Sequence, residues 1–155
     1  MTGSRIFTSH ITTDNGTAYG PNDLVGPLQS ISGAAFNEGG DISLKRITIH
    51  DRDKEAKPLY IHLFSEGLSS ATSTVNNQQF AINYADLKKE LACIPVAASD
   101  FKTHLNGATA AIAVDIPIVV RSSQGQLCMA VVSKEVNNPL SYSSVQSLAI
   151  DLLFK

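Results

Sequence analysis

The chain is read as a mainly-β sandwich or barrel with one or two short helices. Alternating apolar residues recur in RITIH, LYIHLF, AAIAVDIPIVV and LAIDLLFK, and a period of two lines one face of a strand. The turn pairs Asn15-Gly16 and Asn106-Gly107 punctuate the chain, because both residue types tolerate positive φ. Only NYADLKKELA carries convincing helical spacing. Many short strands with little helix fit a layered all-β domain.

In chain order, Arg5, Ile6 and Phe7 come first, and residues 1–17 are read as an N-terminal arm plus a first strand. Leu24, Val25, Pro27 and Leu28 follow, where proline and glycine suggest an exposed loop. Ile42 and Leu44 are out of phase with Ile47 and Ile49, so a bulge is expected near Lys45 and Arg46. Leu59, Ile61 and Leu63 share a face, and Asp51 to Pro58 between the two runs is read as a hairpin loop. In NYADLKKELA, Asn83 caps, Asp86 lies in the first turn, and Tyr84, Leu87 and Leu91 follow helical spacing. SDFKTHL is read as a second short helical turn beginning at Ser99.

The later strands are the clearest. Ile112, Val114, Ile116, Ile118 and Val120 share one face, and Pro117 confines the strand to an edge or a bulge. RSSQGQ is read as a hairpin turn leading to Leu127–Val132, which is apolar on both faces like a central strand. Leu148, Ile150, Leu152 and Phe154 line the last strand. Tyr60, His62 and Phe64 oppose Leu59, Ile61 and Leu63, and Cys128, Ala130 and Val132 oppose Leu127, Met129 and Val131. One small sandwich has one core, so these second faces need cover from a helix such as NYADLKKELA, a loop or another subunit.

Composition narrows the function. At 155 residues the chain is read as a single domain, 1–155, with a hydrophobic fraction of 43% and a net charge of −2. That charge argues against a general nucleic-acid binder. The N-terminus lacks an apolar core flanked by cations, and no apolar run approaches the roughly 20 residues that cross a bilayer, so no membrane role is expected. Cys93 and Cys128 are read as two buried thiols in a protein made in a reducing cytoplasm.

HDRDKEAK holds the densest set of reactive groups. Asp51, Asp53 and Glu55 resemble the opening of a calcium loop, but Ala56 stands where glycine is needed and His62 where a bidentate glutamate is needed. Across the expected hairpin, His50 and His62 would sit about 10 Å apart along the ladder, too far for ligands about 2 Å from one zinc ion. The stretch is read as a charged, solvated turn. There is no Gly-x-Ser-x-Gly elbow and neither cysteine stands in a recognisable active setting. Ser99, Asp100 and His104 fit a capped helical turn, and Gly39-Gly40 precedes a strand rather than a helix. No catalytic, metal or cofactor-binding residue is singled out, and no enzyme or small-molecule substrate is expected.

AYGPNDLVGPLQS, FNEGGDISLKRITIHD and LYIHLF, followed by STVNNQQFAINYADLKKELACIPV and SYSSVQSLAIDLLF, resemble a group of tailed-bacteriophage structural proteins. The likeness lies in the order of features over nearly the whole chain. It implies a jelly-roll-like β-sandwich acting as a cement or decoration protein on a phage head. Such proteins typically form trimers at threefold or quasi-threefold points and clamp major capsid proteins after head expansion. The expected location is then the capsid surface of the virion. Candidate capsid or subunit contacts are Arg5, Ile6 and Phe7, as a strand added to a capsid edge, and Leu24, Val25, Pro27 and Leu28. The rival readings are a virion module that binds a receptor or glycan, and a small β-barrel enzyme or ligand binder with an enclosed pocket.

Overall fold

The computed structural model describes residues 4–13, 16–32, 42–68, 76–118 and 126–155. Nine strands lie among them: β1 Arg5–Ile11, β2 Gln29–Ser32, β3 Ser43–Asp51, β4 Leu59–Phe64, β5 Glu90–Val96, β6 Phe101–His104, β7 Gly107–Pro117, β8 Gln126–Ser133 and β9 Leu148–Phe154. They form a five-stranded sheet ordered β1-β9-β3-β7-β6 and a four-stranded sheet ordered β2-β8-β4-β5, with every pairing antiparallel. The two sheets pack face to face as a β-sandwich.

The chain changes sheet at most of its connections. Apart from β6, which folds back on β7, the strands follow jelly-roll connectivity: first, last, third and sixth in one layer, second, seventh, fourth and fifth in the other. Two expected hairpins are therefore absent. Asp51–Pro58 carries the chain from β3 in one sheet to β4 in the other, and β7 and β8 likewise lie in different sheets. Most of RSSQGQ lies outside the described residues, as do Gly39-Gly40, Asn15 and Val120. The hairpin that does form is β6–β7, where His104 pairs with Gly107 around Leu105 and Asn106. A Cβ on Gly107 would come within 2.9 Å of the Asp51 carbonyl oxygen.

Alternation predicts the core face correctly. Ile47, Ile49, Leu59, Ile61, Leu63 and Phe154 are all buried between the sheets. The expected bulge occurs where β3 shifts register between Leu44 and Arg46 against both neighbours, which brings Leu44 and Ile47 to the same core. Pro117 ends β7 beyond the reach of β6, on an edge as its missing N–H requires. Leu127, Met129 and Val131 enter the main core, while Cys128, Ala130 and Val132 enter a second cluster.

That second cluster answers the question of cover. Leu24, Leu28, Leu68, Phe80 and Ile82 lie over Tyr60, Phe64 and the outward residues of β8. The segments are pinned by backbone bonds, among them Leu24 N to Gln78 O at 2.9 Å and Phe80 N to Asn22 O at 2.8 Å. Of the alternatives of helix, loop and second subunit, loops supply the cover over β8 and β4. Only Tyr84–Leu87 is helical (α1), capped by the Asn83 side chain on Asp86 N, and Tyr84 and Leu87 are exposed. Glu90 onward is strand, because an edge position beside β4 offers Leu91 and Ala92 core contact that a longer helix would not. The turn expected at Ser99 is a 3-10 turn, Ala98–Asp100, in which Asp100 accepts from Ala97 N, and the rest of SDFKTHL is β6.

Gly26 shows how tightly the covering loop is built. It has φ +74°, donates to Asn76 Oδ1 at 2.7 Å, and a Cβ there would collide with the Ile11 side chain. Gly26→Ala is expected to cost about 2–3 kcal/mol, from left-handed backbone strain plus overpacking. Differential scanning calorimetry should show a melting temperature lower by roughly 5–10 °C.

Candidate functional site

The two outer faces of the sandwich differ. On the four-stranded sheet loops cover the outer face of β8 and β4, whereas among the described residues the outer face of the five-stranded sheet is open. Register defines three rows across it: Ile6–Leu153–Arg46–Ala113, Thr8–Asp151–Thr48–Ala111, and His10–Ala149–His50–Thr109–Lys102. Ile6, Thr8, His10, Arg46, Ala111 and Ala113 are exposed, and the others named in the first two rows are half-buried. Its side chains are mostly short. Lys45 and Asp115 pair at 2.5 Å near one rim.

Asp151 occupies the middle of this face. Its Oδ1 accepts from Thr8 Oγ1 at 2.6 Å, and its Oδ2 lies 2.9 Å from His50 Nε2. Burial by itself raises this carboxyl, but hydrogen bonds from Thr8 and His50 and the electrostatic pull of His50 and His10 hold it below the usual aspartate range. A depressed carboxylate stabilises the fold fully above the unfolded value, near pH 4, and loses that contribution as pH falls through the folded value. Asp151→Asn should therefore lower the melting temperature at pH 7, by no more than about 3 °C for a partly exposed group. The difference between variant and parent should shrink below pH 4 in thermal melts taken across pH.

At one end of the open face lies a cleft of about 510 Å³, whose lining includes His10, His50, His104, Leu105, Thr109 and Ala149. His104 Nε2 is 3.0 Å from Thr109 Oγ1, and His50 is engaged by Asp151. Among the described residues that line it there is no Phe, Tyr or Trp.

HDRDKEAK proves to be less solvated than expected. Asp51 is 3% exposed and accepts from Asp53 N at 3.0 Å and Ala56 N at 2.9 Å. Burial outweighs these bonds and raises its carboxyl. Asp53 accepts from Ser143 N and Oγ, at 2.6 and 2.7 Å, and Glu55 pairs with Lys57 at 2.8 Å. These carboxylates tie the crossover to the 139–147 loop. Ala56 has φ +48°, the left-handed conformation that glycine usually supplies. His50 and His62 sit on opposite outer faces of the sandwich, so separation between layers, rather than offset along a hairpin, keeps them from one ion.

The proposed contact residues divide. Arg5 and Ile6 are exposed on edge strand β1, with Ile6 61% exposed on the open face. Phe7 points inward, edge-to-face on Phe154 with ring centroids 5.6 Å apart. Leu24 and Val25 are fully buried, which corrects the expectation of an exposed loop patch; Pro27 is exposed and Leu28 is half-buried beneath the second cluster. β1 pairs only with β9 among the described residues, which leaves its other edge open.

Sequence reasoning missed a second constellation. On the outer face of β4 and β5, His62 Nδ1 lies 2.6 Å from Glu90 Oε1, and His62 Nε2 lies 3.8 Å from Cys93 Sγ. Cys93 is exposed, contrary to the expectation of two buried thiols; Cys128 is buried, which pushes its thiol up to about 11. The sequence signal was present in His62 and Cys93 at alternating positions. Helical spacing in NYADLKKELA hides it, because Leu91 continues the spacing of Tyr84 and Leu87 across Glu90. No known family model matches the chain, and no curated protein matches it in sequence.

Proposed function

We propose that the protein is a structural virion component, a cement or decoration protein that binds the outside of a tailed-phage head as a trimer and performs no chemistry. One observation carries this reading. Loops cover β8 and β4 at the centre of one sheet, whereas the described outer face of the other is a broad surface of mostly short side chains, with its central carboxylate already hydrogen-bonded. A docked surface would bury few unpaired charges there, so desolvation stays cheap. Jelly-roll connectivity supports the same reading, as does the order of sequence features that resembles tailed-phage structural proteins.

Magnitudes favour a multivalent role. Five strands spaced about 4.8 Å apart, over some seven residues of about 3.4 Å each, give a face on the order of 500 Å². A stable pairwise interface takes roughly 800 Å² from each partner. A single copy would hold weakly, whereas three copies joined in one trimer engage neighbouring sites at high effective concentration. The exposed Ile6 lies on this face and extends it along the open β1 edge.

The deciding experiment is light scattering on the purified protein, followed by co-sedimentation with expanded heads that lack it. A trimer that pellets with the heads supports the reading; a monomer that stays in the supernatant ends it. The cleft beside His50 is the observation that favours a glycan- or receptor-binding module instead. Its described lining residues include no aromatic platform of the kind on which sugars and bases stack, and docking is the reading we favour. Binding to a glycan array without binding to heads would reverse that order.

A further inference from the structure

His62 and Cys93 are direct cross-strand partners between β4 and edge strand β5, so the ladder holds their side chains side by side on one face. Glu90 joins them because of an irregularity. Register shifts between Leu63 and Phe64, so that Phe64 faces Glu90 instead of Leu91. Leu91 and Ala92 then both pack on the main core, and the Glu90 carboxylate turns outward onto the imidazole. Phe64 stacks nearly parallel to the His62 ring, with an interplanar angle of 12°, and Phe80 closes from above with centroids 5.1 Å apart. The imidazole is thus flanked by two phenylalanine rings and held at Nδ1, while Nε2 lies beside an exposed sulfur.

We propose that His62 Nε2 and Cys93 Sγ bind a thiophilic divalent cation of the zinc class, with Glu90 as the positioning residue behind the imidazole. Zinc takes nitrogen at about 2.0 Å and sulfur at about 2.3 Å, which in tetrahedral geometry places the two donors roughly 3.5 Å apart. The observed separation is 3.8 Å, a difference of about 0.3 Å that side-chain rotation can close. A carboxylate on the far nitrogen is the usual partner of a metal-bound histidine, because it fixes the tautomer and strengthens the donor. The donor atoms of all three residues lie within 4.8 Å of one another, the one such His, Cys and acidic grouping among the described residues. The two remaining metal positions face solvent through exposed Cys93.

An activated nucleophile is the competing use of the same trio, and the electrostatics oppose it. Burial and then the Glu90 charge push the Cys93 thiol up, whereas a reactive thiol needs a lowered value. A divalent cation takes the place of the proton on sulfur, so metal ligation does not need the lowered thiol value that a free nucleophile needs. This inference stands apart from the docking role, since the open face belongs to the other sheet.

Cobalt(II) is the probe, because thiolate ligation gives it an intense charge-transfer absorption. The full chain titrated with Co²⁺ should develop that band to one equivalent, and Zn²⁺ should abolish it. Cys93→Ser, at an exposed edge position, should remove the band. Glu90→Gln should weaken Co²⁺ binding about 10-fold, and Cys128→Ala should retain the band. Absence of the band in the parent at excess Co²⁺, or its survival in Cys93→Ser, overturns the site. Unchanged affinity in Glu90→Gln overturns the role given to Glu90.

Discussion

Ala111→Arg is expected to fold like the parent and to lose binding to expanded heads by on the order of 100-fold. Ala111 is exposed and lies in the middle row of the open face, two positions from Asp151 across Thr48. Its side chain meets no packed neighbour that a longer one would displace, so the effect on stability should stay within about 0.5 kcal/mol. Docking is different. An arginine on a flat contact surface holds the partners apart and leaves a buried cation without a prepared counter-charge, a penalty of several kcal/mol. The loss is amplified because each trimer carries three copies of the change. Co-sedimentation across protein concentration reads the shift, and Gln79→Arg on the covered sheet supplies the comparison. Gln79 is exposed in the segment over the opposite face, so that variant should bind as the parent does. Equal binding by both variants would remove the open face from the docking surface.

Phe154→Ala should be the most damaging of the simple truncations, at about 3–5 kcal/mol. Phe154 is fully buried, sits on β9 between β1 and β3, and meets Phe7 edge-to-face. Removing the ring deletes apolar contact with two strands at once and leaves a cavity that paired neighbours cannot collapse into. For a domain with total stability of about 5–15 kcal/mol, this is a large share, and urea denaturation should show the midpoint fall accordingly. Ile6→Ala, next in sequence to Phe7 but 61% exposed on the outer face, should change stability by less than about 0.5 kcal/mol. The pair tests the assignment of faces on β1. A large cost at Ile6 with a small one at Phe154 would mean that β1 and β9 present the opposite sides to the core.

What could be read from the chain was whatever depends on a residue and its near neighbours. Ile47 and Ile49, Leu59 to Leu63, and Leu148 to Phe154 were assigned to the core by a period of two, and the phase break at Lys45 located a real bulge. The Asn83 cap was legible because a side chain and a backbone N–H three residues on decide it. Alternation, however, says which way a side chain points and nothing about which strand lies beside it. The β3–β4 and β7–β8 connections were read as hairpins because neighbours in sequence are often neighbours in space. The fold sends both across the sandwich, since β4 and β8 are apolar on two faces and need a central place beneath covering loops. The same non-local demand cut the expected helix to one turn, so that Leu91 and Ala92 reach the core. It turned Glu90 toward His62 and left Cys93 in the open. Local pattern therefore determined β3, β4, β7, β8 and β9 and their buried faces, but not β5 or β6. Burial summed over the whole molecule decided their partners, the bare sheet face and the histidine–cysteine pair, because those depend on contacts between residues far apart in the chain.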